Sequence, residues 1–224
     1  MSKLSMVAAL LAVALLWALP ARAAGAYDIG LGAGYALPVG DMTKGAALAD
    51  QAAGAVPIQV DAVYRYTHRV RFGVTGSYGP VPPGTTTAGL HAANQWRMTV
   101  GALGEYHWAP FAGQDPWVSL SVYWTQLDQQ ITREDLGKFV KTQTVSQSPL
   151  SAEVRGGYQF SLMPDLYVGP YVSAAIESYT SYTASSSTSG SSATTAATTS
   201  ADVPSDQQTW HAWFGFGITG RYGF

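Results

Sequence analysis

Ten charged side chains stand where an interior could use them. Five carboxylates (Asp28, Asp61, Glu105, Glu153 and Glu177) and five guanidiniums (Arg65, Arg71, Arg97, Arg155 and Arg221) occupy every-second positions in segments whose intervening positions are apolar. A matched set of this kind can pair internally. Arginine suits that role, because its planar fork grips a carboxylate through two parallel hydrogen bonds and stays charged. The same groups could instead ring a narrow aqueous path and filter ions. The four histidines offer less. His68 falls in a tight turn and His91 in a loop, while His107 and His211 share the phase of the charges. A His107–Glu105 or His211–Ser pairing is conceivable, but no nucleophile, base and orienting acid stand at the spacing acyl transfer needs. No two histidines share a strand face at ligand spacing. The expectation is therefore no catalytic residues, no metal and no cofactor. Gly30-Leu31-Gly32-Ala33-Gly34 has the glycine content of a phosphate-binding loop, but it lies inside an alternating run with no helix after it.

Composition narrows the setting. In 224 residues the charged share is 12%, about half the ordinary globular value. Aromatics also reach 12%, with 13 Tyr and 7 Trp, and Gly counts 24. A net charge of −2 argues against nucleic acid as a partner, since a binder of phosphate backbones carries a basic stripe. Cys 0 excludes a disulfide scaffold and a thiolate metal site. The first 23 residues read as a secretory signal peptide. Lys3 supplies the positive start, Met6–Leu19 is an uninterrupted apolar run, Pro20 breaks it, and Ala21-Arg22-Ala23 is a small-x-small cleavage site. The apolar run is too short for a membrane-spanning helix. Residues 24–224 are then the mature domain.

The elements that position the charges are strands. Eight segments alternate at period two: Tyr27–Leu37, Ile58–Tyr66, Val70–Tyr78, Trp96–Trp108, Val118–Trp124, Leu150–Phe160, Leu166–Ile176 and Trp210–Phe224. The apolar phase carries no charge in any of them. The other phase holds the ten charges among Gly, Ser and Thr, with bulk added by Leu103, Tyr123, Tyr167, Tyr171 and Trp213. Pro170 falls mid-segment, where a bulge or register adjustment is expected. The connections alternate in length. Val39–Pro57, Gly79–Asn94, Asp128–Pro149 and Thr180–Gln207 are long, whereas Thr67–Arg69, Ala109–Pro116 and Leu162–Asp165 are short. The last long connection is Ser/Thr/Ala-rich and reads as a flexible loop.

An even number of amphipathic strands, with long loops at one end and short turns at the other, predicts a transmembrane antiparallel up-and-down β-barrel of eight strands. Closure follows from physics, because an open edge in lipid leaves unpaired backbone groups costing several kcal/mol each. Tyr and Trp near many segment ends are girdle positions. The chain resembles the small eight-stranded outer-membrane barrels of Gram-negative bacteria, of the OmpA, OmpX and OmpW kind. The resemblance rests on the closing run Phe214-Gly215-Phe216-Gly217-Ile218-Thr219-Gly220-Arg221-Tyr222-Gly223-Phe224 and on the Gly/Tyr-rich opening strand. Tyr222 and Phe224 resemble the terminal signal read by the barrel-assembly machinery, which makes that machinery an expected partner beside outer-membrane lipid. The resemblance implies an outer-membrane location and a monomer. An eight-stranded barrel is only wide enough to be filled by side chains or to hold one small ligand. A filled lumen with a structural or surface-interaction role, its long loops free to meet an extracellular ligand or surface, is the leading expectation. A narrow porin-like channel is the alternative. A soluble lipocalin-like barrel, with the apolar face inward around a ligand, is a lesser one.

Overall fold

The computed structural model describes residues 27–84, 90–110, 112–135, 138–189 and 195–224. The expected signal segment, with Ala21 and Ala23, lies outside the described residues. Eleven strands are formed among the described residues: β1 (Tyr27–Thr43), β2 (Ala46–Ala47), β3 (Ile58–Arg65), β4 (Val70–Pro80), β5 (Leu90–His107), β6 (Gln114–Asp135), β7 (Lys138–Met163), β8 (Leu166–Glu177), β9 (Ser181–Ser189), β10 (Thr195–Asp202) and β11 (His211–Gly223). A single helical turn, Leu48–Gln51, follows β2.

Eight of these strands close a ring. Each of β1, β3, β4, β5, β6, β7, β8 and β11 pairs antiparallel with the next, and β11 returns to β1. The seam between last and first strand is long, running from Asp28↔Gly223 to Gly40↔His211. It is finished by Phe224 N donating to Tyr27 O at 2.9 Å. The ring leaves no open strand edge in its wall, which is what lipid demands of a sheet.

The two faces of the wall meet different media. Leu31, Val60, Phe72, Val100, Leu120, Val154, Val172 and Ile218, one from each ring strand, are exposed on the outside by 39% (Val100) to 65% (Val172). Their neighbours in the other phase are buried or half-buried inside. The charge-free face is therefore the outer one, which overturns the soluble lipocalin-like alternative. A continuous apolar exterior on a closed sheet spans a membrane. Glycine makes room for the interior bulk. A Cβ added at Gly34 or Gly217 would meet the Tyr171 ring system at 2.7 or 2.8 Å.

Three expectations are corrected. Most described residues of Asp128–Pro149 and Thr180–Gln207 are strand rather than irregular loop. β6 and β7 continue as one ladder to Asp135↔Lys138, and β9 adds to β7 from Gln147↔Ser181 to Phe139↔Ser189. β10 then pairs along the whole of β9. The Ser/Thr/Ala tract has few side chains to pack, but the exposed upper half of β7 gives its backbone a template to pair with. At Pro170 there is neither bulge nor register change. Instead the β7–β8 ladder omits the pairs between Gly157↔Tyr171 and Phe160↔Val168, so the missing N–H costs one local gap. The bulge in β7 lies at Pro149–Leu150, where Tyr123↔Ser151 gives way to Thr125↔Ser148 and the inward phase switches.

Candidate functional site in the lumen and at its mouth

The inward phase brings the ten sequence-derived charges into one interior, in tiers. Near the short turns, Asp28 on β1 is paired by Arg65 on β3 and by Arg71 on β4, whose Nη1 lies 2.8 Å from Asp28 Oδ2. Across the lumen, Arg221 of β11, the neighbour of β1, holds Glu105 of β5 through both guanidinium nitrogens, with Nη2 donating to Oε1 at 2.7 Å. His107 Nδ1 donates to Asp115 Oδ2 at 2.6 Å, and its Nε2 lies 3.5 Å from Glu105 Oε2. Asp115 also accepts from the Ala109 backbone N–H, at 3.1 Å, and so ties the network to the turn beneath it.

One tier up, Arg155 Nη1 donates to Asp61 Oδ2 at 3.3 Å, and Arg155 Nε lies 3.7 Å from Glu153 Oε2. Gln59 Nε2 donates to Asp61 Oδ1 at 2.8 Å and to Thr75 Oγ1 at 3.1 Å. Arg221 Nη2, 3.9 Å from Asp61 Oδ2, links this tier to the one below. The third tier is separate and centres on Glu177. Arg97 pairs with it. Its Oε1 also accepts from Tyr123 Oη at 3.2 Å and Thr125 Oγ1 at 3.3 Å, while Tyr179 Oη donates to Oε2 at 3.5 Å. The Arg97 guanidinium lies 5.1 Å over the Trp213 ring, a cation–π contact that a desolvated site strengthens.

Ions taken out of water survive only when matched and hydrogen-bonded, and removing one partner leaves an uncompensated charge costing about 3–5 kcal/mol. That requirement explains why the carboxylates are shared among several donors rather than paired once. Glu153 is the least engaged of the ten, with its side chain 20% exposed. It borders a void of about 30 Å³ that is also lined by Gln59, Thr75, Arg97, Tyr171 and Trp213. That volume has room for about two waters.

Above the third tier the lumen is roofed. Leu48 and Ala52 are fully buried and pack with Met42, Ala55, Val81, Leu127, Tyr179 and Trp213 in one apolar cluster. The connection after β1 folds inward to make it. Ala36 and Ala55 exchange backbone hydrogen bonds of 2.9 and 2.8 Å, and Ala53 N donates to Pro82 O at 2.9 Å. Thr209 Oγ1 donates to Asp41 O at 2.7 Å, and Lys44 N to Gln207 O at 3.1 Å. His211 stacks on Tyr179 with ring centroids 4.7 Å apart and closes the roof against the ion tier.

Sequence reasoning missed two groups. Asp115, 1% exposed, lies in what reads as a turn, yet it continues the odd-numbered inward phase of β6 through Trp117 and Ser119. Extending the alternation by two inward steps, through Trp117, would have found it. Leu48, Ala52, Ala55 and Val81 of the roof carry no such signal, because they come from connections rather than from alternating strands. Among the described residues no group of three or more His, Asp or Glu is arranged to hold a metal ion.

No protein-family model matches the chain, and no curated protein matches it by sequence. Solved structures do. The chain is similar to a major outer membrane protein from Thermus thermophilus, with a TM-score of 0.60 at 13% identity over 88% of this chain and 100% of the other. It is also similar to Neisserial surface protein A, with a TM-score of 0.54 at 12% identity over 88% of this chain and 97% of the other. The fold is that of the small outer-membrane β-barrels. With its lipid-facing exterior, the chain is an integral membrane barrel of this type.

Proposed function

We propose that the protein is a non-conducting barrel of the Gram-negative outer membrane that holds a rigid β-platform outside the bilayer. The carrying observation is the combination of a blocked lumen with a sheet that outgrows the wall. Three tiers of ion pairs and an apolar roof fill the interior, while β5, β6, β7, β9 and β10 continue as one hydrogen-bonded sheet beyond the mouth. Wall strands that only had to cross lipid could end with the ring. β10 ends the sheet with one bare edge, a surface that can accept another strand. In this reading the ten charges are structural and the protein is not an enzyme. It reaches the membrane as an exported monomer after cleavage at Ala21–Ala23.

Assembly by the barrel-assembly machinery belongs to the same proposal. Phe224 stacks on Tyr27 across the seam, with centroids 6.3 Å apart, so the terminal residue both carries the signal-like motif and closes the ring. Deleting Phe224 is expected to lower the amount of heat-modifiable protein in outer-membrane fractions, and wild-type levels would make the motif incidental.

A second reading, a narrow channel, draws on the polar void beside Arg97 and Glu153. Proteoliposome swelling separates the two. The sealed barrel leaves liposomes as tight to small sugars and to potassium chloride as protein-free ones. Swelling that depends on protein density supports the channel.

A further inference from the structure

Arg69 stands in surroundings unlike those of the paired arginines in the lumen. Arg65, Arg71, Arg97, Arg155 and Arg221 each face a carboxylate. Arg69, in the turn between β3 and β4, is exposed, and among the described residues it has no acidic partner. Its Nη1 instead donates to Tyr106 Oη at 3.5 Å. Tyr106 of β5 and Trp108, just past its end, keep the outward phase, and their rings meet edge-on with centroids 5.1 Å apart. Trp108 is 51% exposed at the very rim of the apolar wall. His68, Arg69, Trp108 and the small residues Ala109, Pro110 and Ala112 line an open cup of about 330 Å³. Beside it, Tyr66 and Phe72 pack at 6.1 Å and continue the apolar surface upward.

The geometry points to a phospholipid site at the short-turn rim, in which Arg69 binds the headgroup phosphate and the acyl chains run up the wall past Phe72. Three features converge on that chemistry. A guanidinium is the side chain best shaped for a phosphate oxygen pair. Trp and Tyr at the end of a lipid-facing strand sit at the headgroup level of a bilayer. Trp108, the largest side chain lining the cup, lies in the lipid-facing phase, so an anion bound there is placed where lipid headgroups stand. The inference is independent of whether the lumen conducts.

The test offers lipid to the intact, folded barrel and counts what stays bound by native mass spectrometry. Wild-type protein offered dioleoylphosphatidylglycerol is expected to retain a lipid that Arg69→Gln retains about fivefold less, the change one cation near an anionic surface supplies. A galactolipid with the same chains and no phosphate is expected to be held equally poorly by both proteins, and excess inorganic phosphate should not displace the phospholipid. Equal phospholipid retention by the two proteins overturns the site, as does equal retention of galactolipid and phospholipid by the wild type. Displacement by inorganic phosphate reassigns the cup to the free ion and overturns the lipid assignment. The lipid comparison on wild type alone decides the matter if Arg69→Gln does not fold.

Discussion

The two ends of the lumen are closed by opposite chemistry. At the short-turn end, charged side chains from the wall itself reach across and neutralise one another, as Arg221 does with Glu105 and Arg71 with Asp28. At the loop end, the roof buries apolar surface: Leu48, Ala52 and Val81 come from connections, and Met42 joins them from the end of β1. The difference follows from where each set of residues originates. Wall positions alternate with lipid-facing ones and cannot move, so they need partners at fixed reach. Connections can fold over the mouth and bury what they carry without matching any geometry. A short turn has no spare chain for a roof, which leaves ion pairing to the end where the connections are tight.

Arg221→Leu strips Glu105 of its bidentate partner and should destabilise the barrel by about 3–5 kcal/mol, the cost of an uncompensated buried charge. The midpoint of urea unfolding in detergent or lipid measures it, and a loss below about 1 kcal/mol would mean that the pair is solvated rather than buried. Val154→Arg tests the wall that both ends presuppose. An arginine on this outward position should cost about 2–4 kcal/mol if it lies near the bilayer midplane. The roof should yield more gently. Leu48→Ala is expected to cost about 2 kcal/mol, near the low end for a buried leucine because flexible connections collapse around the cavity. Its signature is faster amide exchange in residues 44–56 with the wall unchanged. If the whole wall loosens instead, the roof and the ion tiers form one cooperative unit.

The smallest effect sharpens the account of the protruding sheet. Burial pushes the Asp128 carboxyl above its usual range, partly offset by Gln143, whose Nε2 donates to it at 2.6 Å, and by the nearby Lys141. The folded sheet therefore disfavours the ionised form. Its stability should rise as pH falls through the Asp128 titration and decline as pH rises through it. Asp128→Asn should flatten that dependence, which hydrogen exchange in β6 and β7 measured across acidic pH can follow. A dependence left unchanged would assign it to another group.

Much of this architecture was legible in the residues. Strict alternation in segments such as Trp96–Trp108 identifies both the strand and its lipid-facing phase, because a pleated strand cannot turn two successive side chains the same way. The same phase lists the inward charges. It does not say which pairs with which, since partners such as Arg97 and Glu177, 80 residues apart, are set by ring closure. The roof was not legible, because Leu48 and Ala52 sit in a stretch with no period to read. The β9–β10 hairpin was hidden for another reason. A Ser/Thr/Ala tract looks unstructured by composition, and only the bare upper edge of β7 explains why it pairs.

The proposed barrel is shut twice, by its ion tiers and by its roof. Single-channel recording in planar bilayers tests that closure most directly, using the wild type, a variant with residues 44–56 replaced by a short turn, and that variant combined with Arg97→Ala and Glu177→Ala. The account predicts silence from the wild type, silence or brief flickers from the roofless barrel, and stable conductance only when roof and upper ion tier are both removed. Steady conductance from the wild type, altered by neutralising Arg97 or Glu153, would contradict it and make the interior a filter instead of a plug.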